Sequence, residues 1–415
     1  MLSVAQALQK ILADPALAVL QQRPAAELPL PQALHRVLAR EQRAAVDVPP
    51  WDNSAMDGYA LCVDALANSN TLPVSQVIPA GSYPPPLQAG TAARIFTGAP
   101  IPAGADAVEM QENTEAAEGR VHFLQAIKAG ANIRRRGEDI SKGAVVVSAG
   151  TCLQARHLGL LASVGIQQIP VHKKLRVALL STGDELAEPG QDLQAGQIYN
   201  SNRYLLWGLL QALGCEVMDG GIVADDLDAT KQCFQRLAAD CDVIISSGGV
   251  SVGDEDHVKK AIETIGQLEL WKISVKPGKP LAFGHINRCT GDRCTFFGLP
   301  GNPVSAFVTF LLFVKPYLLK AQGANEVTPL FIEATADFDW PPVRSDKVKA
   351  GKERKAIGRE EYLRARLRAD GRTVELYPNQ SSGALSSVAW ANGLALAPQG
   401  SVISRGDRIR FLLVE

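Results

Sequence analysis

Three acidic residues, Glu185, Asp225 and Asp256, each follow an apolar stretch that is short enough to form a buried strand. Consecutive right-handed βαβ units bring the ends of such strands to one edge of a parallel sheet. Carboxylates gathered there repel one another and raise one another's pKa unless a cation neutralises them. Oxygen ligands without a histidine or cysteine partner suit Mg²⁺. The spacing therefore predicts a magnesium site, although a simple helix start explains the neighbouring Asp254 and Glu255 equally well.

Small and hydroxylated residues occupy the turns after two of these strands. The two sets are Ser181, Thr182, Gly183 and Ser247, Gly248, Gly249. Glycine lets the backbone turn sharply and approach a ligand, and free N–H groups and hydroxyls in such a turn can hold an anion. The second turn lacks the G-x-G-x-x-G spacing, and the chain contains no G-x-x-x-x-G-K-[ST] sequence. We predict an anion pocket that is neither an NAD site nor a P-loop.

A group of lysines lies between residues 271 and 280. In strand spacing Lys272 and Lys276 fall on one face, because side chains alternate every two residues. Pro277 and Pro280 then form a rigid turn that presents Lys279. Lysines in such a turn suit a compact oxyanion, and a solvated loop is the alternative interpretation.

A helix is predicted to start near residue 302. Asn302 is a good N-cap, Pro303 suits the first turn, and Ser305 lies within that turn. Because helix N-termini attract anions, this is a further candidate anion site. Pro316 should kink this helix or end it.

The segment from 45 to 139 contains short strand-like runs separated by glycines and prolines, a pattern that predicts a small β domain. Several polar residues lie in its turns. Asp57 precedes a glycine, and a turn residue is its simplest interpretation. Thr97 lies in another tight turn, and arginines 134–136 precede Asp139. Those arginines form either a solvated basic edge or a phosphate-binding site, because the guanidinium group can form two parallel hydrogen bonds to phosphate.

The composition limits the classes of function. With 42 basic and 43 acidic residues, the net charge of −1 argues against a protein that binds nucleic acid by bulk charge. Seven cysteines without a C-x-x-C pair favour neither a disulfide framework nor a zinc site. The N-terminus lacks a basic leader, and the longest largely apolar stretch, residues 306–314, is far shorter than a membrane span. We expect a cytoplasmic protein that binds neither nucleic acid nor membrane.

Strands and helices alternate from about residue 175 to 275, which is typical of βαβ units in a doubly wound parallel sheet. Strands are predicted over 175–180, 215–223, 243–245 and 268–275. Period-3.6 stripes predict helices within the first 44 residues, the second of them around Leu34, Val37 and Leu38. After residue 323 the pattern becomes strand-like, with Leu363 and Ala365 alternating with arginines, which predicts a small sheet or barrel.

Seven motifs in a fixed order give the chain a specific resemblance to a known family. They are DNSAMDGY at 52–59, FTGAP at 96–100, RGED at 136–139, STGDEL at 181–186, SGGVSVG at 247–253, KPGKP at 276–280 and GLPGNP at 298–303. Together they resemble the molybdopterin molybdenumtransferase family, which includes the MoeA proteins and the gephyrin E domain.

The resemblance covers nearly the whole chain and implies a multidomain α/β plus β fold. The implied domains are an elongated dimerisation domain (1–44 and 140–172), an inserted β domain (45–139), an α/β molybdopterin-binding domain (173–322) and a C-terminal β domain (323–415). It also implies a homodimer whose active cleft lies between the α/β domain of one subunit and domains of the other. The implied reaction takes adenylylated molybdopterin and molybdate, releases AMP in a Mg²⁺-dependent step, and leaves molybdenum on the dithiolene sulfurs.

The same resemblance assigns roles to individual residues. The acids of the cleft are Glu185, Asp225 and Asp256. The positions that line a molybdate site are Lys276, Lys279, Pro280 and Ser305, with Lys272 matching a further lysine near the same cleft. The functional positions of the inserted domain, which would reach across the dimer, are Asp57, Thr97 and Asp139. The C-terminal domain contributes Arg359 and, as its serine, Ser381 or Ser382.

Two alternatives remain open at this point. A molybdopterin adenylyltransferase would resemble residues 173–322 only and would not need the flanking domains, although it could be the partner that supplies the pterin. A non-catalytic scaffold of the same fold would not need the acid and lysine cluster, which is intact here. The family often has Glu-x-Asp where this chain has Asp254-Glu-Asp256, and the charge pattern survives that difference. Lysine and serine contacts would not distinguish molybdate from tungstate.

Overall fold

The computed structural model describes residues 1–224, 226–248, 257–342 and 356–414. Three of the predicted site residues, Asp225, Gly249 and Asp256, lie outside this described part.

Two short helices open the chain. Helix α1 (Val4–Leu12) starts at a capping box, in which the Ser3 hydroxyl accepts from the Gln6 N–H and the Gln6 side chain accepts from the Ser3 N–H. Helix α2 (Ala16–Gln21) follows directly. Their buried apolar residues, Ala7, Ile11, Leu17 and Leu20, pack into the main core of the α/β domain.

Short strands build the inserted domain. After β1 (Ala26–Pro29) and β2 (Gln42–Arg43), the strands are β3 (Asn53–Ser54), β4 (Gly58–Leu61), β5 (Thr71–Ile78), β6 (Ala92–Ile95), β7 (Ala107–Met110), β8 (Thr114–Ala117), β9 (Arg120–Phe123) and β10 (Ile133–Arg134). A sheet in the order β7-β4-β6-β5-β9-β8 forms most of it, and β3 pairs with β10. The prediction of a β-rich insert is confirmed.

Three elements follow the inserted domain and pack beside β1 and β2, which precede it. They are β11 (Val145–Val147), α3 (Ala155–Ser163) and β12 (Gln168–Val171). Strand β12 pairs with β1 and β11 pairs with β2, so both flanks of the insert form one unit. The helix predicted around Leu34, Val37 and Leu38 is wrong. His35 has a φ of 61°, and Val37 and Leu38 form β-bridges to residues 152 and 171.

A mixed sheet in the order β16-β13-β17-β21-β20-β18 lies at the centre of the α/β domain. Its strands and the short strands around it are β13 (Arg176–Thr182), β14 (Leu186–Ala187), β15 (Ile198–Tyr199), β16 (Glu216–Val223), β17 (Val243–Ser247), β18 (Gly266–Lys272), β19 (Val275–Lys276), β20 (Pro280–Asn287) and β21 (Arg293–Leu299). The helices are α4 (Ser201–Ala212), α5 (Leu227–Asp240) and α6 (His257–Ile265). Strands β16, β13 and β17 are parallel, as predicted, and β21, which the sequence did not predict, continues the parallel part of the sheet.

The far edge of that sheet differs from the prediction. Strands β18 and β20 are antiparallel, because the chain crosses to the outer edge after α6 and returns through the hairpin β20–β21. The single strand predicted over 268–275 is also wrong. Strand β18 ends at Lys272, and β19 belongs to a different sheet.

A long helical run crosses the core after β21. It consists of α7 (Pro303–Thr309), a π-helical turn (Phe310–Val314) and α8 (Lys315–Ala321). The run is long and apolar enough to cross a membrane, but 83% of its apolar window is buried within the protein, as expected for a core helix. Pro316 does not end it. Proline lacks an N–H donor, and the π-helical turn that precedes Pro316 accommodates this loss.

The C-terminal domain is a closed barrel. Its elements are β22 (Phe331–Ala336), β23 (Glu360–Leu367), β24 (Thr373–Leu376), α9 (Leu385–Trp390), β25 (Gly393–Ala397) and β26 (Arg408–Leu413). The order is β23-β24-β22-β26-β25, and β25 pairs back with β23. Strand β19 of the α/β domain adds to β23 in parallel, so a backbone ladder joins the two domains.

Candidate active site

The ends of three parallel strands meet at one edge of the α/β sheet. Ser181 on β13 is opposite Ser247 on β17, which is opposite Leu299 on β21. Glycines make the turns that follow possible. A Cβ atom on Gly248 would lie 2.7 Å from the Thr182 carbonyl oxygen, and a Cβ atom on Gly183 would overlap the Glu185 carboxylate. Both glycines also have positive φ values, 94° and 139°, that other residues rarely adopt.

A cleft of about 800 Å³ opens from these turns toward the C-terminal barrel. Nine of the predicted site residues line it, and so do both candidate serines of the C-terminal domain, Ser381 and Ser382. The nine are Thr182, Gly183, Glu185, Gly248, Lys276, Lys279, Pro280, Ser305 and Arg359. A smaller pocket of about 350 Å³ adjoins it and shares Thr182, Glu185 and Gly248. Residues that lie more than 170 positions apart in the sequence thus surround one cavity.

Two predicted hydroxyl ligands lie beneath the cleft. Both Ser181 and Ser247 are buried. The Ser181 hydroxyl donates to Asn200 Oδ1 over 3.3 Å, and the Ser247 hydroxyl accepts from Asn202 Nδ2 over 2.7 Å. Asn202 also donates to the Gly301 carbonyl. These hydroxyls therefore brace the strand ends, and only Ser247 reaches the smaller pocket.

The lysine turn is held against the long helical run. Gly278 has a φ of 105°, and a Cβ atom there would lie 2.6 Å from Thr309 Oγ1. Lys276 and Lys279 are exposed at the cleft. Lys272 is also exposed, but it does not line the cleft. The strand break after β18 explains the difference, because the alternation that placed Lys272 and Lys276 on one face is interrupted.

A buried guanidinium holds the barrel's side of the cleft. The Arg364 side chain, only 1% exposed, donates to the Ser381 carbonyl and to Ser387 Oγ, both over 3.1 Å. Burial lowers the pKa of Arg364 to about 10, which the charge of Glu361 partly opposes, and leaves the group protonated at neutral pH. Gln380 fixes the same loop by accepting from the Arg364 N–H and donating to the Arg364 carbonyl, each over 2.9 Å.

Several cleft residues were not identified from the sequence. They are Trp340, Glu361, Arg364 and Gln380. Glu361 forms an ion pair with Lys276 over 3.1 Å and accepts a hydrogen bond from Trp340 Nε1 over 3.0 Å. Glu361 could have been noticed because it lies two residues after Arg359, a predicted site residue. Its contacts, however, depend on a strand pairing between domains that the sequence does not reveal.

The predicted residues of the inserted domain lie apart from this cleft. Asp57 accepts from Thr97 through the backbone N–H over 2.7 Å and through Oγ1 over 2.8 Å, and these bonds lower the pKa of Asp57. Asp57, Thr97 and Asp139 are exposed, and none of them lines the cleft of their own chain.

Two of the three neighbouring arginines are already ion-paired. Arg135 contacts Asp52 and Arg136 contacts Asp47, each over 2.6 Å. These two ion pairs fit the interpretation of the arginines as a basic surface edge better than their interpretation as a phosphate-binding site.

The predicted metal site can be tested only in part. Glu185 lines the cleft, as an oxygen ligand for Mg²⁺ must. Asp225 and Asp256, the other predicted ligands, lie outside the described residues. Among the residues that the structure does describe, no group of three histidines, cysteines or acids could hold a metal ion.

Comparison with known families matches three segments of the chain. Residues 2–165 match the MoeA N-terminal region (domain I and II), residues 178–320 match a probable molybdopterin binding domain, and residues 348–414 match the MoeA C-terminal region (domain IV). These matches follow the order in which the inserted, α/β and barrel domains occur.

Several known proteins are similar to this chain over most of their own length. A molybdopterin molybdenumtransferase of Haemophilus influenzae is 44% identical over 301 residues, which cover 72% of this chain and 73% of that protein. One of a Nostoc species is 38% identical over 91% of this chain and 86% of its own length. The crystal structure of a molybdopterin biosynthesis MoeA protein from Pyrococcus horikoshii superposes over 100% of both chains with a TM-score of 0.80 and 28% identity.

Proposed function

We propose, on the premise that this chain belongs to the MoeA family of molybdopterin molybdenumtransferases, that it transfers molybdenum from molybdate to adenylylated molybdopterin and releases AMP in a Mg²⁺-dependent step. One observation carries the proposal. A single cleft combines the hydroxyl and backbone groups of the strand-end turns with Lys276, Lys279 and Arg359.

The charges and size of the cleft suit these substrates. Ammonium and guanidinium groups are the side chains that bind tetrahedral oxyanions such as molybdate. The volume of about 800 Å³ lies within the range of pockets that enclose a ligand as large as a pterin nucleotide. The turns at Gly183 and Gly248 let the backbone approach a phosphate group closely, and the buried Thr182 hydroxyl beside them has no hydrogen-bond partner among the described residues. The lysines and Arg359 would hold molybdate beside that nucleotide and orient it toward the dithiolene sulfurs.

Glu185 is the described residue that fits a magnesium site here, and Asp225 and Asp256 would complete it. When bound, Mg²⁺ would neutralise charge on the phosphate oxygens as AMP leaves. The protein's own contribution is to position both substrates and to surround them with fixed charges.

We also propose that the active protein is a cytoplasmic homodimer. Asp57, Thr97 and Asp139 do not reach the cleft of their own chain, which supports a role at the cleft of a second copy. An adenylyltransferase that supplies the adenylylated pterin is the protein partner that this reaction requires.

The test is AMP release from purified adenylylated molybdopterin, with and without molybdate and Mg²⁺. We expect release that needs both additions. Lys279→Ala should reduce it by roughly 100-fold, because one charge-assisted contact to a buried oxyanion contributes about 3 kcal/mol. Lys260→Ala is the matched control, since Lys260 is an exposed lysine on α6 that does not line the cleft. It should retain full activity.

Other outcomes would identify other functions. Formation of adenylylated pterin from ATP would identify an adenylyltransferase. Tight binding of the pterin without turnover would identify a scaffold.

A further inference from the structure

Glu361 brings a negative charge into a cleft that is otherwise arranged for anions. It lies on β23 directly opposite Lys276 on β19, in the parallel ladder that joins the barrel to the α/β domain. Its side chain is only 10% exposed, whereas that of Lys276 is 52% exposed, and both residues line the cleft. The carboxylate therefore stands behind the ammonium group, on the side of the barrel.

Both oxygens of this carboxylate are engaged. Oε1 accepts from Lys276 Nζ over 3.1 Å, and Oε2 accepts from Trp340 Nε1 over 3.0 Å. Two donors fix the orientation of the carboxylate, and the carboxylate in turn fixes the ammonium group of Lys276. An ammonium group has three N–H donors, so Lys276 can keep this contact while it presents the others to the open cleft.

We propose that Glu361 is an internal counter-anion that sets the affinity of the cleft for oxyanions, an inference that rests on the proposed function. In the empty cleft it neutralises Lys276 and holds it in place. An arriving dianion shares Lys276 with Glu361 and is repelled by it. The cleft then binds its oxyanion loosely enough to pass it on, whereas Lys279 and Arg359 supply the remaining attraction.

The surrounding charges make Glu361 the acid that acts most directly on Lys276. Among the described residues, the lysines and arginines that line the cleft are Lys276, Lys279, Arg359 and the buried Arg364. The other described acid that lines the cleft is Glu185, which follows the strand ends on the α/β side. The neighbouring Glu360 does not line the cleft, and its Oε1 accepts from the Tyr362 hydroxyl instead.

The test is a double-mutant cycle on sodium molybdate binding, measured by calorimetry on the full-length protein. Glu361→Gln removes the charge and keeps the shape. We expect it to bind molybdate about tenfold more tightly than wild type, which corresponds to about 1.4 kcal/mol. Lys276→Met should bind roughly 100-fold more weakly, because Glu361 is then an uncompensated acid. The double variant should recover to within about tenfold of wild type.

Glu360→Gln is the matched control, because it removes the same charge one residue away from outside the cleft. It should change molybdate affinity less than about twofold. If Glu361→Gln binds no better than wild type and the double variant no better than Lys276→Met, the counter-anion role is overturned. The wild-type protein is measured first. If it binds no molybdate, the proposed oxyanion site itself is refuted, whatever the variants do.

Discussion

Arg364→Met should separate the stability of the protein from the function of the cleft. The substitution keeps a long unbranched side chain but removes the guanidinium that donates to the Ser381 carbonyl and Ser387 Oγ. Two opposing effects on the free energy of unfolding follow. Losing the hydrogen bond to the part-buried Ser381 carbonyl costs at most about 1–3 kcal/mol. Ser387 loses less than this, because its hydroxyl keeps its bond to the Ala384 carbonyl.

The second effect is relief from burying a charge. Lowering the pKa of Arg364 to about 10 means that the folded state disfavours the charged form by about 3 kcal/mol. Methionine does not carry this cost. The two effects nearly cancel, so we expect a net loss of only about 0–2 kcal/mol.

Molybdate binding should not be preserved in the same way. Arg364→Met keeps the two Gln380 bonds to the backbone of residue 364, but it removes the side-chain contact that positions Ser381. A misplaced ligand group typically costs a factor of ten or more. We therefore expect molybdate affinity to fall at least about tenfold while urea unfolding shifts little. Arg366→Met is the control, since Arg366 is exposed on the same strand and stacks over Trp390. A variant that loses more than about 4 kcal/mol and whose folded fraction binds molybdate normally would refute this reasoning.

Two further predictions concern the dimer and acid stability. Asp57→Asn and Lys279→Ala should each lose most of the AMP release when tested alone, Lys279→Ala by roughly 100-fold. Their mixture should regain about a quarter of wild-type AMP release if each cleft uses both subunits, and no recovery after subunit exchange would contradict a shared site. Burial raises the pKa of Asp14, but contacts from His285 and Tyr317 outweigh this and lower it. Acid should therefore destabilise the fold as pH falls below about 4, because the unfolded chain takes up this proton first. Asp14→Asn should flatten the change in urea midpoint between about pH 5 and pH 3, and an unchanged slope would contradict that assignment.

The sequence was most informative where local pattern and tertiary structure agree. Asn200 and Ser201 are both residue types that favour the N-cap of a helix, and the Asn200 side chain caps α4 by accepting from the Arg203 N–H. Glycine commonly follows the end of a helix, and Gly214, just after α4, has a φ of 71°. The turns after β13 and β17 could be located because glycines and hydroxyls follow short apolar runs, a pattern fixed by neighbouring residues alone.

The errors have a common physical cause, which is pairing between distant segments. Val37 and Leu38 have helical spacing, but their bridges to residues 152 and 171 decide their conformation. Lys272 and Lys276 look like one strand face, yet the chain changes sheets between them. Arg364 alternates with apolar neighbours and looks outward-facing, but it is buried because loops 380–382 and α9 cover that face of the barrel. No local pattern contains these partners.

The packing of α1 and α2 has a consequence for the order in which the protein is assembled. Lys320 donates to the Leu12 carbonyl and Gln21 donates to the Lys320 carbonyl, contacts that span 308 and 299 residues. At about 5–20 residues per second, the ribosome needs roughly 15–60 s to make that partner. Helices of nine and six residues are too short to persist alone in water. Helices α1 and α2 are therefore made long before the segment they pack against, and their apolar faces stay open to chaperones and proteases until that segment follows.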